Sequence, residues 1–142
     1  MIYKLKLVDS KSGKIEINDE DNIKNITAIK FNLRQDERLA SERATDISPY
    51  IEITGKIDNE TSQEQTRLLL EWAQETKDLD IVYKHIVIEI WKGTNDLARK
   101  YELDNIYCVD YYEEFLNDNS CNFKLKLAQR KGFLGSIKFS SK

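Results

Sequence analysis

The last third of the chain alternates between apolar and polar residues in three separate runs, at residues 86–91, 106–112 and 123–127. Successive side chains of a β-strand point to opposite faces, so a period of two indicates a sheet with one buried and one accessible face. In the third run the odd-numbered positions are apolar, while Lys124 and Lys126 occupy the other face. This pattern predicts antiparallel strands that bury one side.

The first half of the chain continues the pattern. Residues 3–7 and 14–17 alternate on either side of a polar loop at 9–13, where Gly13 is the natural position for a positive φ, and this predicts a hairpin. Further strands are predicted at residues 26–33, 50–57, 81–91, 98–112, 123–127 and 133–139. The predicted fold is mainly β with one helix (α+β): an antiparallel β-barrel or sandwich with a flanking α-helix. Residues 1–142 are predicted to form a single domain.

One helix is predicted between the two groups of strands. Thr61 and Glu64 have the spacing of a capping box, in which each side chain binds the backbone amide of the other residue. The helix is predicted to continue to about Lys77, with one apolar face laid on the sheet. The predicted core anchors on that face are Leu69, Trp72 and Ala73.

A long charged segment, residues 34–49, separates two of the predicted strands. It mixes charges of both signs with Leu39 and Ile47, and it is far longer than the usual hairpin loop of about 2–5 residues. Loops of this length in small domains are usually functional or disordered. Two interpretations remain open from the sequence: an ordered contact arm or a floppy insertion.

The charge balance argues against one class of function. The formal net charge is -3, from 22 basic and 25 acidic residues, whereas a sequence-independent binder of duplex DNA needs a net basic surface. Lysines interrupt the apolar positions of the first seven residues, so a secretory signal is not expected, and no apolar run approaches the roughly 20 residues of a membrane span. We expect synthesis in the cytoplasm and no membrane binding by the subunit itself.

No residue pattern typical of catalysis stands out. His85 is the single histidine, and its place inside a predicted strand favours a packing or hydrogen-bonding role. The five glycines are dispersed, which argues against a phosphate-binding loop. Cys108 and Cys121 are expected to be free thiols, and without a Cys-x-x-Cys spacing a structural zinc site is not expected. The sequence predicts no enzymatic activity, cofactor or metal.

Three strings combine with the order of elements to suggest a family: residues 86–91, 103–112 and 122–129. With them, the chain resembles the tail-tube protein superfamily, which includes the tubes of contractile phage tails and phage-tail-like bacteriocins and the Hcp tube protein of type VI secretion. The resemblance implies a β-barrel-like subunit that forms hexameric rings, which stack into a hollow tube inside a contractile sheath. Its implied partners are further copies of itself and sheath and baseplate proteins, with DNA only as lumen cargo. The final location would be a virion or phage-tail-like particle.

The resemblance also implies two sets of contact residues. In such families the long early loop reaches an adjacent ring, so the inter-ring contact candidates are Arg34, Asp36, Glu37, Arg38, Glu42, Arg43 and Asp46. Their mixed signs suit complementary pairing. Candidates for the lumen or for the seam between subunits, with no choice between the two, are Lys4, Lys6, Glu16, Lys124 and Lys126.

Two other functions remain open at this stage. One is a monomeric β-rich binding module that uses residues 34–49 to bind a protein or glycan partner. The other is a hydrolase that uses His85 with acidic partners. Within the tube interpretation, the sequence leaves open a phage tail, a bacteriocin or a secretion system, and also a specialised member such as a tube initiator.

Overall fold

The computed structural model describes residues 1–20, 23–34, 48–130 and 138–140. Within these residues all strands belong to one antiparallel sheet, accompanied by two helices. The elements in chain order are β1 (Ile2–Val8), β2 (Lys14–Asn18), β3 (Ile26–Arg34), β4 (Ser48–Lys56), α1 (Glu60–Gln74), α2 (Leu79–Val82), β5 (Lys84–Trp91), β6 (Leu97–Phe115), β7 (Cys121–Gln129) and β8 (Lys138–Ser140). The predicted fold class, mainly β with α+β character, is confirmed.

The strand order in the sheet is β2-β1-β5-β6-β7-β4-β3, with β8 paired to β6. The 19-residue β6 joins two halves, because residues 97–106 pair with β5 and residues 106–115 pair with β7. Asn105 lies at this junction with a φ of 58°. We call β2, β1, β5 and the first half of β6 the first half-sheet, and the second half of β6 with β7, β4 and β3 the second half-sheet.

The two half-sheets face each other across the hydrophobic core. The rings of Phe31 in β3 and Tyr101 in the first half of β6 stack with centroids 4.4 Å apart, which packs the edge of the second half-sheet against the first half-sheet. Alternate residues of each strand point inward. The fully buried ones are Leu5, Leu7, Ile51, Ile53, Ile86, Ile88, Leu103, Ile106, Phe123, Leu125 and Leu127. The alternation seen in the sequence therefore corresponds to one continuous inner face.

The predicted opening hairpin is present. β1 and β2 pair in register from Lys4 opposite Asn18 to Val8 opposite Lys14, and Gly13 has the expected positive φ, at 86°. Asp9 closes the loop by accepting hydrogen bonds from the amides of Lys11, at 2.7 Å, and Ser12, at 2.5 Å. A single carboxylate thus fixes the conformation of this turn.

The helix begins earlier than the sequence predicted, and the Thr61–Glu64 capping box is wrong. Asn59 is the N-cap: its side-chain oxygen accepts from the Ser62 amide at 2.8 Å, and the Ser62 hydroxyl accepts from the Asn59 amide at 3.0 Å. Both sites have capping chemistry, but only Asn59 has the extended backbone that an N-cap needs, with φ −145° and ψ 171°. Glu64 instead pairs with Arg67 at 2.6 Å.

Three other predicted boundaries also change. α1 ends at Gln74 and not near Lys77, because the chain is extended at Glu75. The strand predicted from residue 81 begins at Lys84, since residues 79–82 form the short α2, which Asp78 caps through the Asp80 amide. β4 begins at Ser48. Most of the long loop, residues 35–47, and the start of the predicted last strand lie outside the described residues.

Candidate assembly surfaces

The outer face of the sheet carries the predicted lumen or seam residues, but on two different half-sheets. Lys4, Lys6 and Glu16 lie on the first half-sheet, where Lys6 is directly opposite Glu16 on the neighbouring strand. Lys124 and Lys126 lie on the second, opposite Thr54 and Glu52 of β4. The structure therefore does not bring the five residues into one cluster.

The first half-sheet presents charges of both signs. Glu16 pairs with Lys14 at 3.4 Å, and Lys100 lies 3.8 Å from Glu89. The Lys4 ammonium lies 5.5 Å from the centre of the Trp91 ring, within cation–π range. This outer surface is balanced in charge, with cations and anions alternating between neighbouring strands.

The second half-sheet carries a cluster of lysines around one carboxylate. Glu52 is shared by three lysines, Lys30 at 3.9 Å and Lys124 and Lys126 at 3.7 Å each. Asp110 of β6 lies directly opposite Lys126, so the outer face of this half-sheet also carries charges of both signs. Neither Lys30 nor Glu52 was singled out from the sequence. The signal that could have found them is their place in strands whose other face is apolar.

Of the predicted inter-ring contact residues, only Arg34 falls within the described part of the chain. It ends β3, is exposed, and places its guanidinium 4.9 Å from the centre of the Tyr50 ring. The other candidates lie outside the described residues: Asp36, Glu37, Arg38, Glu42, Arg43 and Asp46. Their role in contacts between rings stays a prediction.

The predicted core anchors of the helix are buried to different extents. Leu69 is fully buried, Trp72 is 4% exposed, and Ala73 is partly exposed. The Trp72 indole donates to the Val82 carbonyl at 3.0 Å, so it ties α1 to the end of α2. The helix is therefore held against the sheet mainly through Leu69 and Trp72.

A buried ion pair beneath the helix was missed from the sequence. Lys84 begins β5 on the inner face, and its ammonium binds the Asp9 carboxylate; the two side chains are 2% and 0% exposed. Burial raises the pKa of Asp9, but hydrogen bonds from Lys84, Ser12 and the loop amides outweigh it and hold the pKa at about 2. The ammonium also lies 5.4 Å from the centre of the Trp72 ring. This pair fastens the β1–β2 loop to β5 and α1.

The reactive side chains of the described residues, the histidine and the two cysteines, do not form a catalytic set. The His85 ring contacts Asp104 through Nδ1, and its Nε2 lies 3.7 Å from Glu102. Cys108 and Cys121 are free, and burial raises the pKa of the Cys108 thiol to about 11. Among the described residues no cluster of three or more His, Cys, Asp or Glu side chains could hold a metal ion. In the same part of the chain, neither helix has the length and apolar character required to span a membrane.

The sheet has edges of two kinds. The edge of β2 is covered by α1, because the Glu16 amide donates to the Gln65 side chain at 2.7 Å. Among the described strands, none pairs with the outer edge of β3 or with residues 107–115 of β6 on the side away from β7. Edges of this kind invite pairing with another chain.

Comparison with known proteins shows similarity in structure and not in sequence. No protein-family model matches this chain, and no curated protein matches it. An Hcp protein crystal structure is similar with a TM-score of 0.62 at 8% identity, over 100% of this chain and 99% of that one. Hcp1 from Flavobacterium johnsoniae has a TM-score of 0.54 at 14% identity, over 98% and 96% of the two chains.

A chain from an assembled particle has the same TM-score as Hcp1. It belongs to the sheath–tube complex, in the extended state, of the extracellular contractile injection system PVC, with a TM-score of 0.54 at 10% identity over 99% of this chain and 88% of that one. These similarities extend over nearly the whole chain. The resemblance to the tail-tube superfamily is thus confirmed at the level of the fold: this chain has the fold of Hcp and of the tube components of contractile injection systems.

Proposed function

We propose that this chain is a structural subunit, built as a single tail-tube domain over residues 1–142, that forms hexameric rings. The rings stack into the inner tube of a contractile injection particle, such as a phage tail, a bacteriocin or a related machine. Sheath and baseplate proteins are its proposed further partners. The subunit acts through its surfaces and has no catalytic role.

The observation that carries this proposal is the similarity of fold over nearly the whole chain. It covers 98–100% of the chain in the comparisons with two Hcp proteins and with the sheath–tube complex. The same fold could serve another role, because folds are reused for unrelated functions. The surfaces supply a second, physical argument.

The strand edges of the described residues suit self-association. The second half-sheet ends in two edges without a strand partner among the described residues, at β3 and at the second half of β6. A contact in which one edge meets a different edge is heterologous, and such contacts close into rings when the rotation between copies allows it. Closure would pair these two strand edges and prevent open-ended aggregation.

The test is the mass of the purified protein by light scattering across a concentration series, with negative-stain images of the same samples. The proposal predicts rings or hollow tubes that increase with concentration. A strict monomer at every concentration, also in the presence of preformed ring seeds, would contradict it. That result would favour the monomeric binding module. In that case, deletion of residues 36–46 should abolish binding to its partner.

A further inference from the structure

Four tyrosines lie close together on the outer face of the second half-sheet and at its border with β5. Tyr107 of β6 and Tyr50 of β4 are both paired with Ala128, so their backbones lie about 10 Å apart, on either side of β7. Tyr83, which precedes β5, packs edge-on against Tyr107 with ring centroids 6.0 Å apart. Tyr112 lies farther along β6 on the same face. We call this part of the outer face the tyrosine face.

The rings of the tyrosine face are partly open to solvent. Tyr112 is 47% exposed, and the other three tyrosines are partly exposed. By contrast Tyr111, its neighbour on β6, is directed inward, where its ring lies 6.4 Å from that of Phe123. An exposed tyrosine offers an aromatic surface for stacking and a hydroxyl for hydrogen bonding. The alternation of β6 therefore places aromatic binding groups outside the core.

Guanidinium groups lie over the rings at both ends of the tyrosine face. The Arg34 guanidinium lies 4.9 Å from the centre of the Tyr50 ring, and that of Arg130 lies 4.8 Å from the centre of the Tyr83 ring. A guanidinium stacked on a ring still has N–H groups at its edge, which can bind two phosphate oxygens at once. The two arginines thus place phosphate-binding groups at either end of a row of rings.

Cations outnumber carboxylates at the outward positions of β3, β4, β7 and the second half of β6. These positions follow from alternation with the buried inner residues. The cations are Lys30, Arg34, Lys56, Lys124 and Lys126, and the carboxylates are Glu52, Asp110 and Glu114. The whole chain has a net charge of -3, so this excess is local. The tyrosine face therefore favours an anionic partner.

The rings select the class of anion. An acidic peptide could pair with the cations but would leave the rings unused, and a duplex hides the faces of its bases within its own stack. The bases of a single strand are open and stack on aromatic side chains, while its phosphates follow a basic surface. Burial and then the neighbouring phenols of Tyr50 and Tyr83 raise the pKa of Tyr107, so its hydroxyl remains a hydrogen-bond donor at neutral pH.

We propose that the tyrosine face binds single-stranded nucleic acid, with bases stacked on Tyr107 and Tyr112. The phosphates are bound by neighbouring cations, namely Arg34, Lys124 and Lys126. Lys124 lies directly opposite Tyr112, and Lys126 lies on β7 between the levels of the two rings. Such a site would hold about four nucleotides. The inference goes beyond the proposed function and does not depend on it, because one subunit carries the whole face.

Fluorescence anisotropy of the full chain with a labelled strand of about twelve thymidines tests the proposal, since this length covers the site. Three phosphate contacts predict that the logarithm of the association constant falls against the logarithm of the salt concentration with a slope of about −2. A strand of equal length without bases keeps the phosphates but cannot stack. We therefore expect it to bind at least about fivefold more weakly.

Substitutions separate stacking from charge. Tyr112→Leu and Tyr107→Leu should each weaken binding of the thymidine strand at least about fivefold, because each removes one stacking ring. The matched control is Trp91→Leu, which removes a ring with Lys4 5.5 Å from its centre on the first half-sheet and should leave the affinity unchanged. Lys126→Gln should make the salt slope shallower by about 0.7.

Equal affinity for the strands with and without bases, or for a poly-glutamate peptide, would overturn the proposal and indicate binding by charge alone. Absence of binding at low salt would also overturn it. Light scattering on the same proteins separates this inference from the proposed function. Loss of binding in Tyr112→Leu at an unchanged oligomeric mass would support the site, whereas loss only in variants that change the mass would overturn it. A native protein that binds the strand but remains a monomer would contradict the proposed function alone.

Discussion

The buried pair of Lys84 and Asp9 gives a sharp prediction about stability. In Lys84→Met the volume of the side chain is nearly kept, but the Asp9 carboxylate, fully buried in the native chain, loses its counter-charge. Removing one partner of a buried ion pair typically costs about 3–5 kcal/mol. The Asp9 carboxylate keeps hydrogen bonds from Ser12 and from the amides of Lys11 and Ser12, so we expect the lower end, about 3 kcal/mol.

The assay is urea unfolding followed by tryptophan fluorescence, because the Lys84 ammonium lies 5.4 Å from the centre of the Trp72 ring. With a slope of about 1–3 kcal/mol per molar urea, the midpoint should fall by about 1–3 M. The double variant Asp9→Asn, Lys84→Met should recover part of the loss, since no buried charge remains. The matched control is Lys11→Met, which removes the exposed pair with Asp78 and should change the midpoint much less.

The pH dependence follows from the direction of the shift. The folded state holds the pKa of Asp9 at about 2, below its ordinary 3.8, so its stabilisation is fully present above about pH 4 and is lost as the pH falls through 2. That difference corresponds to roughly 2 kcal/mol. The gap between native protein and Lys84→Met should therefore narrow as the pH falls from 5 to 2. A midpoint within error of the native value at pH 7, or a gap that does not depend on pH, would refute this account of the pair.

Three further predictions concern local packing, helix capping and thiol reactivity. In Gly55→Ala the new Cβ would lie 2.6 Å from Cζ of Phe123, and closer still to the Asn25 carbonyl. We therefore expect the free energy of unfolding in urea to fall by about 1–3 kcal/mol. The control Gly93→Ala, whose Cβ meets nothing within 4 Å, should leave it unchanged. Asn59→Ala removes the N-cap of α1 and should lower the free energy of unfolding by about 1 kcal/mol in the same assay. An equal loss in Thr61→Ala would instead support the Thr61–Glu64 capping box that the sequence predicted. Cys108 should react with iodoacetamide at pH 8 more slowly than free cysteine, because burial raises the pKa of its thiol to about 11. Unfolding in urea should abolish this difference in rate. Equal rates without urea would show that the Cys108 thiol is accessible to solvent.

The features that could be predicted from the sequence are those that depend on neighbouring residues. The alternation at residues 123–127 was sufficient to predict β7, and the position of Gly13 was sufficient to predict its positive φ. The start of α1 was wrong because two capping motifs overlap within six residues, and the choice between them depends on the backbone before the helix. Local patterns therefore identify elements better than they identify their ends.

The surfaces depend on contacts between distant parts of the chain. Lys84 looked like an ordinary polar strand residue because its partner, Asp9, lies 75 residues away. Lys4 and Lys124 were grouped together because both lie opposite an apolar face, but β6 crosses from one half-sheet to the other near Asn105 and separates them. An asparagine with positive φ inside a long strand has no clear sequence signature.

The central claim, that copies of this chain close into six-membered rings, is tested most directly by native mass spectrometry of the purified protein. A ring of six 16.7 kDa chains predicts a dominant species of about 100 kDa, with higher species at multiples of that mass as rings stack. A distribution of oligomers without a preferred size, or a single species at the mass of one chain under all assembly conditions, would contradict the account.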